Sequence, residues 1–286
     1  MEPVSATIEV GRHRIEASVF GRGAPAVVIE PAMGGDAAEW RPLAEKLGGQ
    51  TRVVTYNRVP YGASSAATDG RTPRDVARDL HGLLCGLGIR GPLVLVGHSI
   101  GGIYVRAFAV AHRDRVAGMV LVESSHEDQR RATRGKMPWK WRLMDFFAIP
   151  AILAESPRAR KGGDRLSLIR EFCSFRRLTV ADRMLFPGDL GVKPLIVLTR
   201  ARDVSINDRG FWPVWYELHE DLARLSSNSQ HVVSCSPNHY LNSGDPQAIL
   251  HAIGEVVRSV RTSAPLSQDL PAGPPEVPRL PGGPLR

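Results

Sequence analysis

The chain has 286 residues, 43% of them hydrophobic and 23% charged, with a formal net charge of +8. That length suits one α/β core plus an insertion, and the composition agrees with a soluble enzyme. Charge alone is a weak signal for nucleic acid, and no recognised nucleic-acid-binding motif accompanies it, so that partner is not expected. Cys85, Cys173 and Cys235 are far apart and odd in number. They form no disulfide framework and fit a reducing cytoplasm. The opening residues MEPVSATIEVGRHRIEASV place no apolar stretch after a basic start, so neither a secretory signal nor a first membrane span is expected.

Taken in order, the elements begin with two strands near 6–10 and 14–20 that could pair as an antiparallel hairpin. A strand near 26–30 and a helix near 40–47 follow, then a strand at 52–56. Thr72-Pro73 caps a helix over 72–86, with Asp75 in its first turn and Val76, Leu80, Leu83 and Leu84 as its apolar stripe. Leu93-Val94-Leu95-Val96 is short, β-branched and unbroken, as expected of a strand buried on both faces. A helix then places Val105, Phe108, Ala109 and His112 near one face. Further strands are expected at 118–122, 194–199 and 231–235. Asp245-Pro246 opens a last helix, Asp245 as N-cap and proline at the first helical position. This alternation predicts a mostly parallel sheet covered by helices, and no internal repeat interrupts it.

Gly97-His98-Ser99-Ile100-Gly101 sits where the buried strand meets the helix. A strand, a sharp turn and a helix at one serine make a nucleophile elbow, which presents the hydroxyl at the top of the sheet. Such a serine needs a histidine to take its proton and a carboxylate to orient that histidine. Asp203 follows the 194–199 strand, in a loop beyond a strand's C-terminal end, where ligands of open α/β sheets gather. Glu123 competes from the end of the 118–122 strand, and Asp208 is a weaker third candidate. His239 lies in the turn-rich loop Ser236-Pro237-Asn238-His239-Tyr240, free to reach Ser99. His231 is expected at the surface, while His98 belongs to the turn and is expected to pack or hydrogen-bond. His126-Glu127-Asp128 reads as the solvated start of a new segment, with no metal expected. Cys85 and Cys235 are expected as buried small apolar residues.

The pieces VVIEPAMGGDAAEW, VVTYNRVPYGAS, GHSIGG, MVLVES, the stretch from Leu195 to Asp203 and that from Asn238 to Pro246 resemble the α/β-hydrolase family, in its single-domain esterase and lipase-like group. The resemblance covers most of residues 5–260. It implies catalytic roles for Ser99, Asp203 and His239, some relatives carrying the acid at the Glu123 position. It also implies an oxyanion hole made by the backbone N–H groups of Ile100 and Met33. Many members have His-Gly at the end of the third strand, where this chain has Pro31-Ala32. Because the donor is a backbone group, the side chain is free to vary.

Between 125 and 190 the β/α rhythm stops, and the resemblance makes residues 126–190 a helical cap over Ser99, inserted between core segments 1–125 and 191–262. The cap carries an aromatic and basic cluster with Trp139, Trp141, Phe146 and Phe147, then a helical stretch LSLIREFCSFRRL. Its fourteen Lys/Arg against eight Asp/Glu supply +6 of the chain's +8. A solvated basic surface is favoured over a site for anionic partners. Residues 263–286, with seven prolines and no apolar periodicity, predict a disordered or polyproline-II-like tail. The expected function is cofactor-independent hydrolysis of a small or medium carboxylic ester, lactone or thioester, with the oligomeric state open. A peptidase or lyase on the same scaffold, a ligand receptor without turnover, and an interaction protein recruited by the tail are the alternatives.

Overall fold

The computed structural model describes residues 2–66, 71–136, 165–176, 188–204 and 210–267. Eight strands form one sheet in the order β1-β2-β4-β3-β5-β6-β7-β8. β1 (Val4–Val10) and β2 (His13–Phe20) make the expected hairpin, and β2 also pairs antiparallel with β4 (Val53–Tyr56). The remaining pairings are parallel: β3 (Ala26–Glu30), β5 (Leu93–His98), β6 (Val116–Val122), β7 (Leu195–Thr199) and β8 (Ser229–Val233).

The apolar strand runs are sandwiched because both faces are covered. Val28 and Leu95 point into one layer, with Leu80, Leu83 and Leu84 of α2 (Pro73–Gly86) and Val105 and Phe108 of α3 (Gly101–Ala111). Val27, Val94 and Val96 point into the other, against Leu43 and Leu47 of α1 (Arg41–Gly48) and Ile249, Ile253 and Val256 of the C-terminal helix (Pro246–Thr262). Period-two alternation thus sorts each strand between two helical layers. Thr72 and Asp75 complete a reciprocal capping box on α2, and Asp245 caps the C-terminal helix through Ala248 N.

Several expectations are corrected. Cys85 and Cys235 are exposed, the latter because β8 ends two residues earlier than the pattern indicates. His126, Glu127 and Asp128 are buried rather than solvated. Glu127 meets the buried Arg106 at 2.7 Å, and His126 Nε2 lies 3.1 Å from Asp221. After β6 come α4 (Gln129–Ala132) and α5 (Arg165–Arg176), the latter overlapping the helical stretch read from the sequence at 166–178. A helix not anticipated, α6 (Phe211–Ala223), follows β7, with Pro213 tolerated in its first turn. Two C-terminal helices, α7 (Leu241–Gly244) and α8 (Pro246–Thr262), close the fold. Trp139, Trp141, Phe146, Phe147, Asp208 and the tail beyond 267 lie outside the described residues.

Candidate active site

Ser99 stands between β5 and α3 with φ of 55°, a left-handed conformation that a non-glycine residue adopts only when its surroundings enforce it. Here they do. Ser99 N donates to Val122 O at 3.0 Å, and Ser99 O accepts from Ser125 N at 2.8 Å, so the elbow is stitched to the end of β6. A Cβ at Gly102 would run into the Ser124 hydroxyl, and one at Gly101 into the Glu30 and Pro31 carbonyls. The two glycines therefore let the head of α3 sit directly against β6 and against the loop leaving β3. That contact brings the Ile100 and Met33 segments together, and both residues pack in one apolar cluster with Val76, Tyr104 and Phe175.

The second strained residue is Glu123, with φ of 45°, fully buried at the end of β6. Its Oε2 lies 3.1 Å from His239 Nδ1. Its Oε1 accepts from Arg200 N at 2.8 Å and from the Trp215 indole N–H at 3.3 Å, while the Arg200 guanidinium lies 3.2 Å from Oε2. Burial alone would raise this carboxyl. The His239 hydrogen bond and the Arg200 charge reverse the effect and bring its pKa to about 2. Glu123 is therefore an anion at neutral pH. The carboxylate that meets His239 is thus Glu123 and not Asp203, which sits partly buried in the loop after β7. The two candidates share the same sequence context, a loop at the C-terminal end of a parallel strand. Proximity to His239 is decided by tertiary structure.

His239 is one-third exposed, so its ring is open to solvent on the side away from Glu123. Its loop is anchored to the elbow itself: His98 Nε2–H donates to the His239 carbonyl at 3.0 Å, and the two rings lie 5.2 Å apart. His98 is buried and held neutral, its pKa lowered by burial to about 3. Behind Glu123, His219 Nε2 donates to Ser124 O at 2.9 Å, and its Nδ1 accepts from the Thr199 hydroxyl. His231, expected at the surface, instead donates to that hydroxyl at 2.7 Å from a half-buried position. This chain of neutral groups backs the turn that carries Glu123. Arg200, Trp215 and His219 were not anticipated. Their only sequence signal is an aromatic-rich stretch following β7.

The buried histidines predict acid-sensitive stability. Burial lowers the pKa of His98 and His231 to about 3 and of His219 to about 4, from an ordinary 6.5. The unfolded chain then binds more protons, so stability is complete above pH 6.5 and falls as pH drops toward 4. At pH 5 the loss should be about 2 kcal/mol per buried histidine. Urea melts at pH 7.5 and pH 5 should show the midpoint falling, and equal midpoints would contradict the assignment of neutral buried imidazoles.

An eight-stranded, mostly parallel sheet with a strained serine at the elbow after β5 defines an α/β hydrolase. A family profile described as alpha/beta hydrolase fold matches residues 25–164. The chain is 31% identical over 189 residues to a protein of Variovorax paradoxus named "Putative carbamate hydrolase RutD", covering 63% of this chain and 67% of that one. It is 29% identical over 162 residues to a protein of Hormonema carpetanum named "Probable transporter efuK", covering 54% of this chain but spanning only 23% of that protein's length. Among solved structures, a thermophilic esterase from Thermogutta terrifontis superposes with a TM-score of 0.64 at 25% identity, covering 91% of this chain and 99% of the other. The chain belongs to the alpha/beta-hydrolase family. No helix among the described residues is long and apolar enough to cross a membrane.

Proposed function

We propose that the protein is a cofactor-independent serine hydrolase acting on a small or medium carboxylic ester, with lactones and thioesters open to the same chemistry. The observation that carries this reading is the 3.1 Å contact of His239 Nδ1 with a buried, ionised Glu123, on a loop anchored to the residue preceding Ser99. In this scheme Nδ1–H donates to Glu123, which leaves Nε2 unprotonated as the base. Nε2 takes the Ser99 proton as Oγ attacks the carbonyl carbon. The tetrahedral oxyanion accepts from Ile100 N–H, at the positive head of α3, and from Met33 N–H. Collapse breaks the ester bond. His239 gives its proton to the leaving alcohol, then activates water to release the acid and free Ser99.

Glu123 replaces Asp203 as the acid in this proposal, with Asp203 left as a loop residue. The cluster of Met33, Val76, Ile100, Tyr104 and Phe175 supports an apolar substrate group beside the oxyanion donors. Phe175 comes from α5, which supports residues 126–190 as a cap over the site. The esterase from Thermogutta terrifontis favours an ester as the first substrate to try, and the Variovorax paradoxus relative adds a carbamate to the panel.

Incubation with a fluorophosphonate, followed by intact-mass and peptide analysis, tests the reading. One adduct on Ser99, together with turnover of p-nitrophenyl esters, is the expected result. A folded protein with neither adduct nor turnover would overturn it in favour of a ligand receptor.

A further inference from the structure

Met33 has no histidine beside it to organise its loop, and the structure supplies another device. Arg58, on the loop after β4, is buried with 2% of its side chain exposed. Its Nη1 donates to Glu30 Oε1 at 2.6 Å and to Pro31 O at 2.7 Å. Its Nη2 donates to Ala32 O at 2.7 Å and to Glu171 Oε1 at 2.9 Å. Glu171 belongs to α5. Its Oε2 accepts from Gly34 N at 3.1 Å and from the Tyr61 hydroxyl at 2.6 Å, and its Oε1 accepts from the Tyr104 hydroxyl at 3.0 Å. Tyr56 O–H donates to the other oxygen of Glu30, and the guanidinium lies 5.1 Å from the centre of the Tyr104 ring.

The peptide unit between Ala32 and Met33 is the centre of this arrangement. Its carbonyl accepts from Arg58, so its N–H, on the opposite side of the same rigid plane, has a fixed direction. The following residue, Gly34, is pinned by Glu171. A charged donor on the carbonyl also polarises the amide and strengthens the N–H as a donor.

We propose that Arg58 and Glu171 are positioning residues for the oxyanion hole: the pair sets the Ala32–Met33 peptide so that Met33 N–H faces the developing oxyanion. Because Glu171 is on α5, seating this helix and completing the hole are one event. A protein whose α5 is displaced keeps Ser99, His239 and Glu123 but lacks one oxyanion donor. This inference rests on the serine-hydrolase reading above.

The test uses the full chain and two variants. Arg58→Lys keeps the charge but loses the planar fork that serves Ala32 O and Glu171 together. Glu171→Gln keeps the shape and removes the charge. Removing an oxyanion donor costs about 100–1,000-fold, so misdirecting one should lower kcat toward p-nitrophenyl butyrate by about 10–100-fold, with KM within about twofold of wild type. Phenylboronic acid, whose tetrahedral adduct on Ser99 carries the oxyanion, should bind more weakly by the same factor. A folded variant with wild-type kcat overturns the proposal, as does a loss confined to KM. Failure of both variants to fold also overturns it, since the network would then be structural. If wild type itself shows no turnover and no Ser99 adduct, the hydrolase reading fails instead.

Discussion

Replacing Ser99 with alanine is expected to lower kcat by about 10³–10⁶-fold toward p-nitrophenyl esters, the range set by losing a triad nucleophile. The melting temperature should hardly change. Alanine meets the same steric cost as serine at a φ of 55°, and the backbone bonds to Val122 and Ser125 survive. Ser99→Gly should be equally inactive and more stable, by about 1 kcal/mol, because glycine accepts a left-handed backbone without strain. Steady-state kinetics with thermal melts of wild type and both variants would check this. Retention of full activity in Ser99→Ala would remove the acyl-enzyme from the mechanism.

Glu123→Gln should cost about 10³–10⁴-fold in kcat, because an amide in that place cannot stabilise the imidazolium and favours the wrong tautomer. Asp203→Asn should stay within about threefold of wild type, because the carboxylate that meets His239 is Glu123. Kinetics of the two variants side by side decide the acid. Loss on Asp203→Asn with Glu123→Gln active would restore the earlier candidate. Glu123→Gln should also melt earlier, since it leaves Arg200 3.2 Å from a neutral group in a buried setting.

Much of the architecture was legible in the sequence for a simple reason. A parallel sheet covered on both faces makes its strands unbroken apolar runs, and β3, β5 and β7 read that way directly. The elbow was legible because its strand, turn and helix are contiguous in sequence, so the G-x-S-x-G pattern shows at one serine without any distant residue. Which carboxylate meets His239 was not, because Asp203 and Glu123 have the same local setting. What separates them is supplied by Trp215, Arg200 and His239, all more than seventy residues along the chain from Glu123. Helix α6 was not anticipated, since Pro213 stands in its first turn and the bulky Phe211, Trp212, Trp215 and Tyr216 crowd its start and blur the helical period. Arg58 and Glu171 escaped because they meet across 113 positions, and an isolated arginine in a loop carries no mark of burial. The His126-Glu127-Asp128 stretch was misread for the same reason: Arg106, which neutralises it, lies on α3.

The strands β3, β5 and β6 are direct neighbours, and they carry Met33, Ser99, Ile100 and Glu123, all before residue 126. Of the proposed triad, only His239 comes from beyond the segment that follows, and that segment supplies Glu171 to the loop of Met33. The proposed catalytic apparatus is therefore bipartite along the chain. Cleavage between residues 137 and 164 would leave one fragment with the proposed nucleophile, its acid and both oxyanion N–H groups, and another with the proposed base and with Glu171, which pins the Met33 loop. Neither fragment could turn over an ester alone. Activity would return only on reassembly, which makes this protein a candidate split reporter whose signal depends on the His239 imidazole and the Glu171 carboxylate both crossing from one polypeptide to the other.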